Sequence, residues 1–236
     1  MSQAFLPGDL PLILWNSLLI AFSTLLPLIN PLGSALVFVG LVGEAPPGVY
    51  RSLARKIAIN NVIFLAIIEL LGSAILKFFG ISLPIIQVSG GLVITALGWG
   101  MLNQKDAQAT AQSKQEEADA CLDSPSSALE QKTFYPFTFP VTSGPGTLVV
   151  VLTLSAHASH PVLLDNVLSH LGMYLAIVAL SIAVYFCYAY APRITRTISP
   201  STVHGILRVM AFIVLSIGVQ IAWNGFSALY SQLPKH

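Results

Sequence analysis

Charge is what this sequence has least of. Of 236 residues, 9% are Asp, Glu, Lys or Arg, against 55% hydrophobic, and the mean hydropathy is +0.77. Soluble domains carry about 25% charged residues. This chain lacks the polar surface that water requires, so it is expected to be an integral membrane protein. A net charge of +1 leaves no strongly basic face for nucleic acid. Cysteine is scarce too. Cys121 stands in a polar stretch and Cys187 in an apolar run, so the pair makes no disulfide framework and both are expected as free thiols. The first apolar run has no basic segment ahead of it and no small-residue cleavage site, and it reads as a first span rather than a removable signal. No cofactor is expected.

Long apolar runs are what the chain has instead. Stretches of about 20 residues or more, enough to cross a bilayer, fall near residues 10–42, 57–79, 83–102, 134–158, 167–191 and 203–230. The first is too long for one straight span, because at ~1.5 Å per residue it overruns the ~30 Å hydrocarbon core. It is cut at Asn30-Pro31-Leu32-Gly33, which leaves two pieces, one of them tilted or re-entrant.

A similar break occurs in the fourth stretch. Pro27-Leu-Ile-Asn30-Pro31-Leu-Gly33-Ser34 aligns with Pro140-Val-Thr142-Ser143-Gly144-Pro145-Gly146-Thr147, so that Pro27 falls on Pro140, Gly33 on Gly146 and Ser34 on Thr147. The third and sixth stretches align as well, Ile85-Ile86-Gln87-Val88 on Ile206-Leu207-Arg208-Val209 and Thr95 on Ser216. The expected fold is therefore all-α: residues 1–102 form a first three-span repeat and residues 133–236 a second, together one membrane domain. Three spans per unit insert the second unit upside down, giving an inverted-topology repeat. Residues 103–132 between them are rich in Gln, Ala, Ser, Glu and Asp and poor in large apolar residues. They read as a flexible cytoplasmic linker without a core of its own.

Basic residues set the expected orientation. Arg51, Arg55, Lys56, Lys105, Lys114, Lys132, Arg193 and Arg196 fall on one side, with Arg208 just inside the sixth stretch near it; only Lys77 and Lys235 fall on the other. The positive-inside rule makes the first side cytoplasmic and both termini extracytoplasmic. Trp15, Trp223 and Tyr230 then belong to the outer interface, and Trp99, Tyr188 and Tyr190 to the inner one.

With these motifs in hand, the chain resembles the MarC family of bacterial inner-membrane proteins. The resemblance rests on Asn30-Pro31-Leu-Gly33, on Ser89-Gly90-Gly91 and on Pro140-x-x-Ser143-Gly144-Pro145-Gly146-Thr147, in that order along the whole chain. It implies a two-repeat transporter whose broken first and fourth helices meet at the centre. It also implies a small neutral amino acid, alanine or glycine in kind, as substrate.

The residues at the breaks suit a zwitterion. A half-helix that begins in mid-membrane offers unpaired N–H groups and the positive end of its dipole to a carboxylate. Gly33 and Gly146 let a ligand approach the backbone. Ser34 and Thr147 can cap a half-helix or donate to the carboxylate, and Pro31 and Pro145 stop the preceding helix. Asn30, Thr142, Ser143 and Gly144 complete the expected substrate site, the Asn30 and Ser143 side chains as acceptors for an ammonium group. Glu69 is the one carboxylate deep within an apolar stretch; it reads either as a coupling site for a proton or sodium ion or as a neutral, hydrogen-bonded packing residue. Asn60, Asn61, Gln87, Gln220 and Asn224 are expected to bond neighbouring helices, and Gly90, Gly91 and Gly98 to permit close packing. His157 and His160, with Asp165 and His170 nearby, have a spacing a metal can use, but with no cysteine or second acid close they read as an interfacial loop, and no metal is expected. Two other functions compete with transport: a structural or assembly role, and an intramembrane hydrolase using Ser143, for which no histidine lies well placed as base.

The charge asymmetry makes a direct prediction. Tags at both termini should label from outside the cytoplasmic membrane, and a cysteine probe near Gln112 should be protected. A cytoplasmic terminus contradicts the six-span inverted reading.

Overall fold

A computed structural model describes residues 10–43, 45–103, 131–158, 162–197 and 200–231, and every element among them is helical. Helix α1 spans Leu10–Ile29 and α2 Pro31–Val42. Between them Asn30 takes the left-handed conformation, φ 45° and ψ 68°, which Asn tolerates better than most residues. Pro31 then occupies the first helical position, where its missing N–H does no harm.

Helix α3, Pro47–Phe78, is 32 residues long, ~48 Å at the α-helical rise. The apolar stretch placed its start near 57, ten residues too late. Tyr50, Leu53, Ala54 and Ile57 are buried while Arg51 and Arg55 are exposed. The helix therefore continues out of the apolar zone as an amphipathic turn that hydropathy alone does not register.

After α4, Leu83–Asn103, the description resumes with a 3₁₀ turn at Gln131–Thr133 and α5, Phe134–Thr142, wound as a π-helix. Tyr135 and Phe139 are extended inside it, each standing before a proline, which disfavours the helical region for its predecessor. Helix α6, Pro145–Ala158, leaves α5 at a 68° bend. Then come α7 (Leu163–Ala189), the short α8 (Ala191–Thr197) and α9 (Pro200–Ser231).

Four of these segments are long and apolar enough to cross a bilayer, Leu10–Val42, Leu83–Asn103, Leu163–Ala189 and Gly205–Ser231, and the bent α5–α6 pair makes five. Of the 103–132 linker only Asn103, Gln131 and Lys132 are described, so the linker reading falls outside the described residues, as does Cys121.

Helix α7 is central and packs on α1, α2 and α3, while α4 and α9 lie against each other. Phe38, Leu65, Ile94, Val150, Ile177 and Leu180 are fully buried in the core. Ile63, Ile67 and Leu71 of α3 and Leu171, Leu175 and Ile182 of α7 are exposed, as befits surfaces that lipid solvates. The α4–α9 contact depends on glycine. A Cβ on Gly91 would stand 2.7 Å from the Gly218 carbonyl, and one on Gly218 would stand 2.9 Å from the Gly91 carbonyl. Gly98 meets the Leu215 backbone at 2.7 Å in the same way, and Gly90 seats Val149 of α6. Backbones this close are how helices associate where lipid removes the hydrophobic drive.

Gly91→Val should accordingly cost about 1–3 kcal/mol by overpacking, read as a lower thermal midpoint of the purified protein in detergent. Gly100→Val enters open space and should leave the midpoint close to that of the parent.

Candidate functional site

The first break is closed by its own side chains. Asn30 Oδ1 accepts from the Gly33 N–H at 3.1 Å, and the Ser34 N–H bonds the Asn30 carbonyl at 2.9 Å. The cap on α2 is thus Asn30. The Ser34 hydroxyl donates instead to the Asn30 carbonyl, also at 2.9 Å. A Cβ on Gly33 would meet the Asn30 amide and sit 3.0 Å from Leu207 Cδ2, so glycine here makes room for the cap. Beside it lies a crevice of ≈20 Å³ lined by Leu32, Leu36, Ile194 and Leu207, about enough for one water.

The second break has more polar partners. Ser143 turns extended at φ −124°, and its N–H bonds the Thr138 carbonyl. Its hydroxyl donates to Asn61 Oδ1 of α3 at 2.6 Å, and Asn61 Nδ2 donates on to Ser181 of α7 at 3.0 Å. Thr142 donates to the Phe137 carbonyl and lies 2.9 Å from the Tyr188 hydroxyl. The N–H groups of Thr147 and Leu148 close on the Gly144 carbonyl. Gly146 is buried, with Leu28, Ile94 and Leu97 side chains 3.3–3.6 Å from where its Cβ would stand. Gly144 is half-buried and Pro145 exposed.

These contacts bring the breaks together. Gly146 of the second lies against Leu28, two residues before Asn30 of the first. Tyr188 of α7 joins Thr142 on one side and faces Ser34 on the other. Its ring stacks on Phe38 of α2 at 4.5 Å, and Phe38 meets the edges of Phe137 and Tyr50 at 5.4 and 5.7 Å. The aromatic pattern of the sequence places Tyr188 at the inner membrane interface. It is fully buried, and its place between the breaks follows from the position of α7, which no local pattern reveals. Asn61 bonds a neighbouring helix, as its place in the apolar stretch implies, yet its partners belong to the site.

The closed centre lies between two openings. One, about 770 Å³, is lined by Gly43, Pro46, Tyr50, Pro192 and Thr195. It sits at the basic end, where Arg51 and Arg193 lie 5.7 and 5.9 Å from the Tyr190 ring. The other, about 460 Å³, is lined by Glu69, Ser155, Asn166, His170 and Tyr174. Tyr50 and Glu69 are on the same helix, ~28 Å apart at 1.5 Å per residue, with Asn61 between them. Glu69 is buried, and its Oε1 contacts His170 Nδ1; the sequence reading left His170 among the interfacial histidines. Among the described residues no group of three His, Cys, Asp or Glu is placed to hold a metal; His160 is outside them.

Broken helices, buried polar bridges and lipid-facing apolar helices define a polytopic α-helical integral membrane protein with an interrupted-helix centre. The profile of the MarC family integral membrane proteins matches residues 15–230, and the chain belongs to that family. It is 27% identical over 215 residues to the UPF0056 inner membrane protein MarC of Citrobacter koseri, covering 90% of this chain and 95% of that one. To a UPF0056 membrane protein of Pyrococcus abyssi it is 26% identical over 201 residues, covering 85% and 90%. No solved structure matches it.

Loss of a cap costs about 0.5–2 kcal/mol, so Asn30→Ala should lower the thermal midpoint modestly. Ser143→Ala strands the Asn61 carbonyl, a buried acceptor left unpaired at about 1–3 kcal/mol, and should lower it at least as far. Changing Ser143 and Asn61 together should cost less than the sum of the two single changes.

Proposed function

We propose that this MarC-family chain is a secondary transporter of small neutral amino acids, set in the cytoplasmic (inner) membrane with both termini outside. The observation that carries the reading is the meeting of the two breaks, Gly146 against Leu28 and Thr142 and Ser34 about one Tyr188 hydroxyl. Membrane proteins keep irregular backbone at depth only where it is buried or lines a cavity, and paired interruptions in corresponding halves mark transporter binding sites.

The packing supports two inverted repeats, residues 1–102 and 133–236. Helices α4 and α9 run antiparallel, with Gly91 facing Gly218 and Pro84 facing Gly225, and Thr95 and Ser216 fall at the crossing. Asn61 touches Ser181.

The substrate follows from the donors and the room. Gly146 N–H is a buried first-turn donor with no partner among the described residues, at the positive end of α6, and it suits a carboxylate. Asn61, Thr142 and Ser143 supply oxygens for an ammonium group. A closed centre walled by Leu28, Ile94 and Leu97 leaves space for a small side chain only, once the breaks part. Openings at opposite ends suit alternating access, one facing the cytoplasm through Tyr50 and the other facing outward through Glu69. We read the chain as no enzyme. The Ser143 hydroxyl is given to an amide oxygen, which cannot serve as a general base.

Vesicles reconstituted with the protein should take up alanine or glycine and ignore large or charged amino acids. Gly33→Val and Gly146→Val should abolish uptake while the protein still reaches the membrane; Thr147→Val should weaken binding by about 0.5–2 kcal/mol. Two valine variants that fold and transport normally contradict a site at the breaks.

A further inference from the structure

Glu69 is the only acidic residue in α3, and its side chain is fully buried. Oε1 contacts His170 Nδ1. Among the described residues Oε2 and the Tyr174 hydroxyl, both buried, have no hydrogen-bond partner of good geometry, yet the two groups lie close enough to interact. The Ser155 hydroxyl donates to the Glu69 backbone carbonyl at 2.8 Å. The opening of about 460 Å³ reaches this cluster, and Asn166 is its other polar wall. His170 is 23% exposed and lines the opening beside the fully buried carboxyl.

A bare carboxylate at this depth costs several kcal/mol even after relaxation. Among the described residues no lysine or arginine lines the opening. On the elements packed here, Lys77 lies two turns farther along α3, Asp165 lies five residues before His170 on α7, and α6 carries His157 two residues beyond Ser155. Its neighbours here, an imidazole and a phenol, suit a proton as the neutralising charge. We propose that Glu69, His170 and Tyr174 form a proton-binding site filled from this opening. A proton arriving on His170 Nε2 makes an imidazolium. The Nδ1–H bond then breaks as an O–H bond forms on Oε1, leaving a neutral imidazole and a carboxylic acid. One proton is bound and no electrons move. Tyr174 rotates to donate to Oε2, the carbonyl oxygen of that acid. Under the transport reading this proton is the coupling ion; the site itself does not depend on that reading.

Infrared pH-difference spectra of the full chain in lipid nanodiscs test it. A protonated-carboxyl band should appear that Glu69→Gln removes. Tyr174→Phe should move its frequency, and His170→Gln should displace the pH at which it appears by about one unit or more, the usual effect of a neighbouring titratable group. If Glu69→Gln does not fold, carbon-13 labelling of the glutamate carboxyls marks the glutamate bands, and the one among them that Tyr174→Phe moves is that of Glu69. Absence of a Glu69 band wherever the protein stays folded overturns the site, as does a band indifferent to both neighbours. A band that behaves as expected in a protein that moves no amino acid supports the proton site and contradicts the transport reading alone.

Discussion

Hydrocarbon offers no hydrogen bonds, and the rest of this structure answers that constraint. An unbroken helix satisfies its own backbone; a broken one must find partners elsewhere or lose several kcal/mol per stranded group. At the first break the partners are local, Asn30 Oδ1 for the Gly33 N–H and the Asn30 carbonyl for Ser34. At the second they come from afar. Asn61 and Ser181 bridge to Ser143, and Tyr188 to Thr142, so α3 and α7 are held against the break they serve. The breaks are consequently anchored by the same helices that bring them together.

Those partners also explain where the polar residues lie. Asn61 and Glu69 on α3 face Ser181 and the Tyr174–His170 pair of α7, while Tyr50 of α3 and Tyr188 of α7 both pack on Phe38, and the line runs from one opening to the other through the closed centre. Polar side chains in a membrane are costly and are kept for function. Apolar side chains cover the lipid side of both helices, so the polarity is confined to an interior track.

Much of this was legible in the sequence, because local chemistry determines it. Asn30-Pro31 announced the break between α1 and α2, since proline removes an N–H and restricts the residue before it. Gly91 and Gly98 announced close packing, and Gly218 completes it. The start of α3 was not legible from apolar length, because the helix runs on as an amphipathic turn at Tyr50, Leu53 and Ala54. Nor was the company that Tyr188, Asn61 and His170 keep. Ser143 and Asn61 are 82 residues apart, and Glu69 and His170 are 101. Separations of that size are set by which helices pack, and nothing in the flanking residues encodes them. Ser34 shows the reverse case: its place at the start of α2 was readable, but its hydroxyl is used by its own backbone.

The most direct measurement is an experimental structure of the protein with alanine bound. The ligand should lie between the starts of α2 and α6, its carboxylate on the Gly146 N–H and its ammonium group toward Asn61, Thr142 and Ser143, with the contact between Gly146 and Leu28 opened. Alanine seated only in the opening at Tyr50 or the opening at Glu69, with the two breaks still closed on each other, would contradict it.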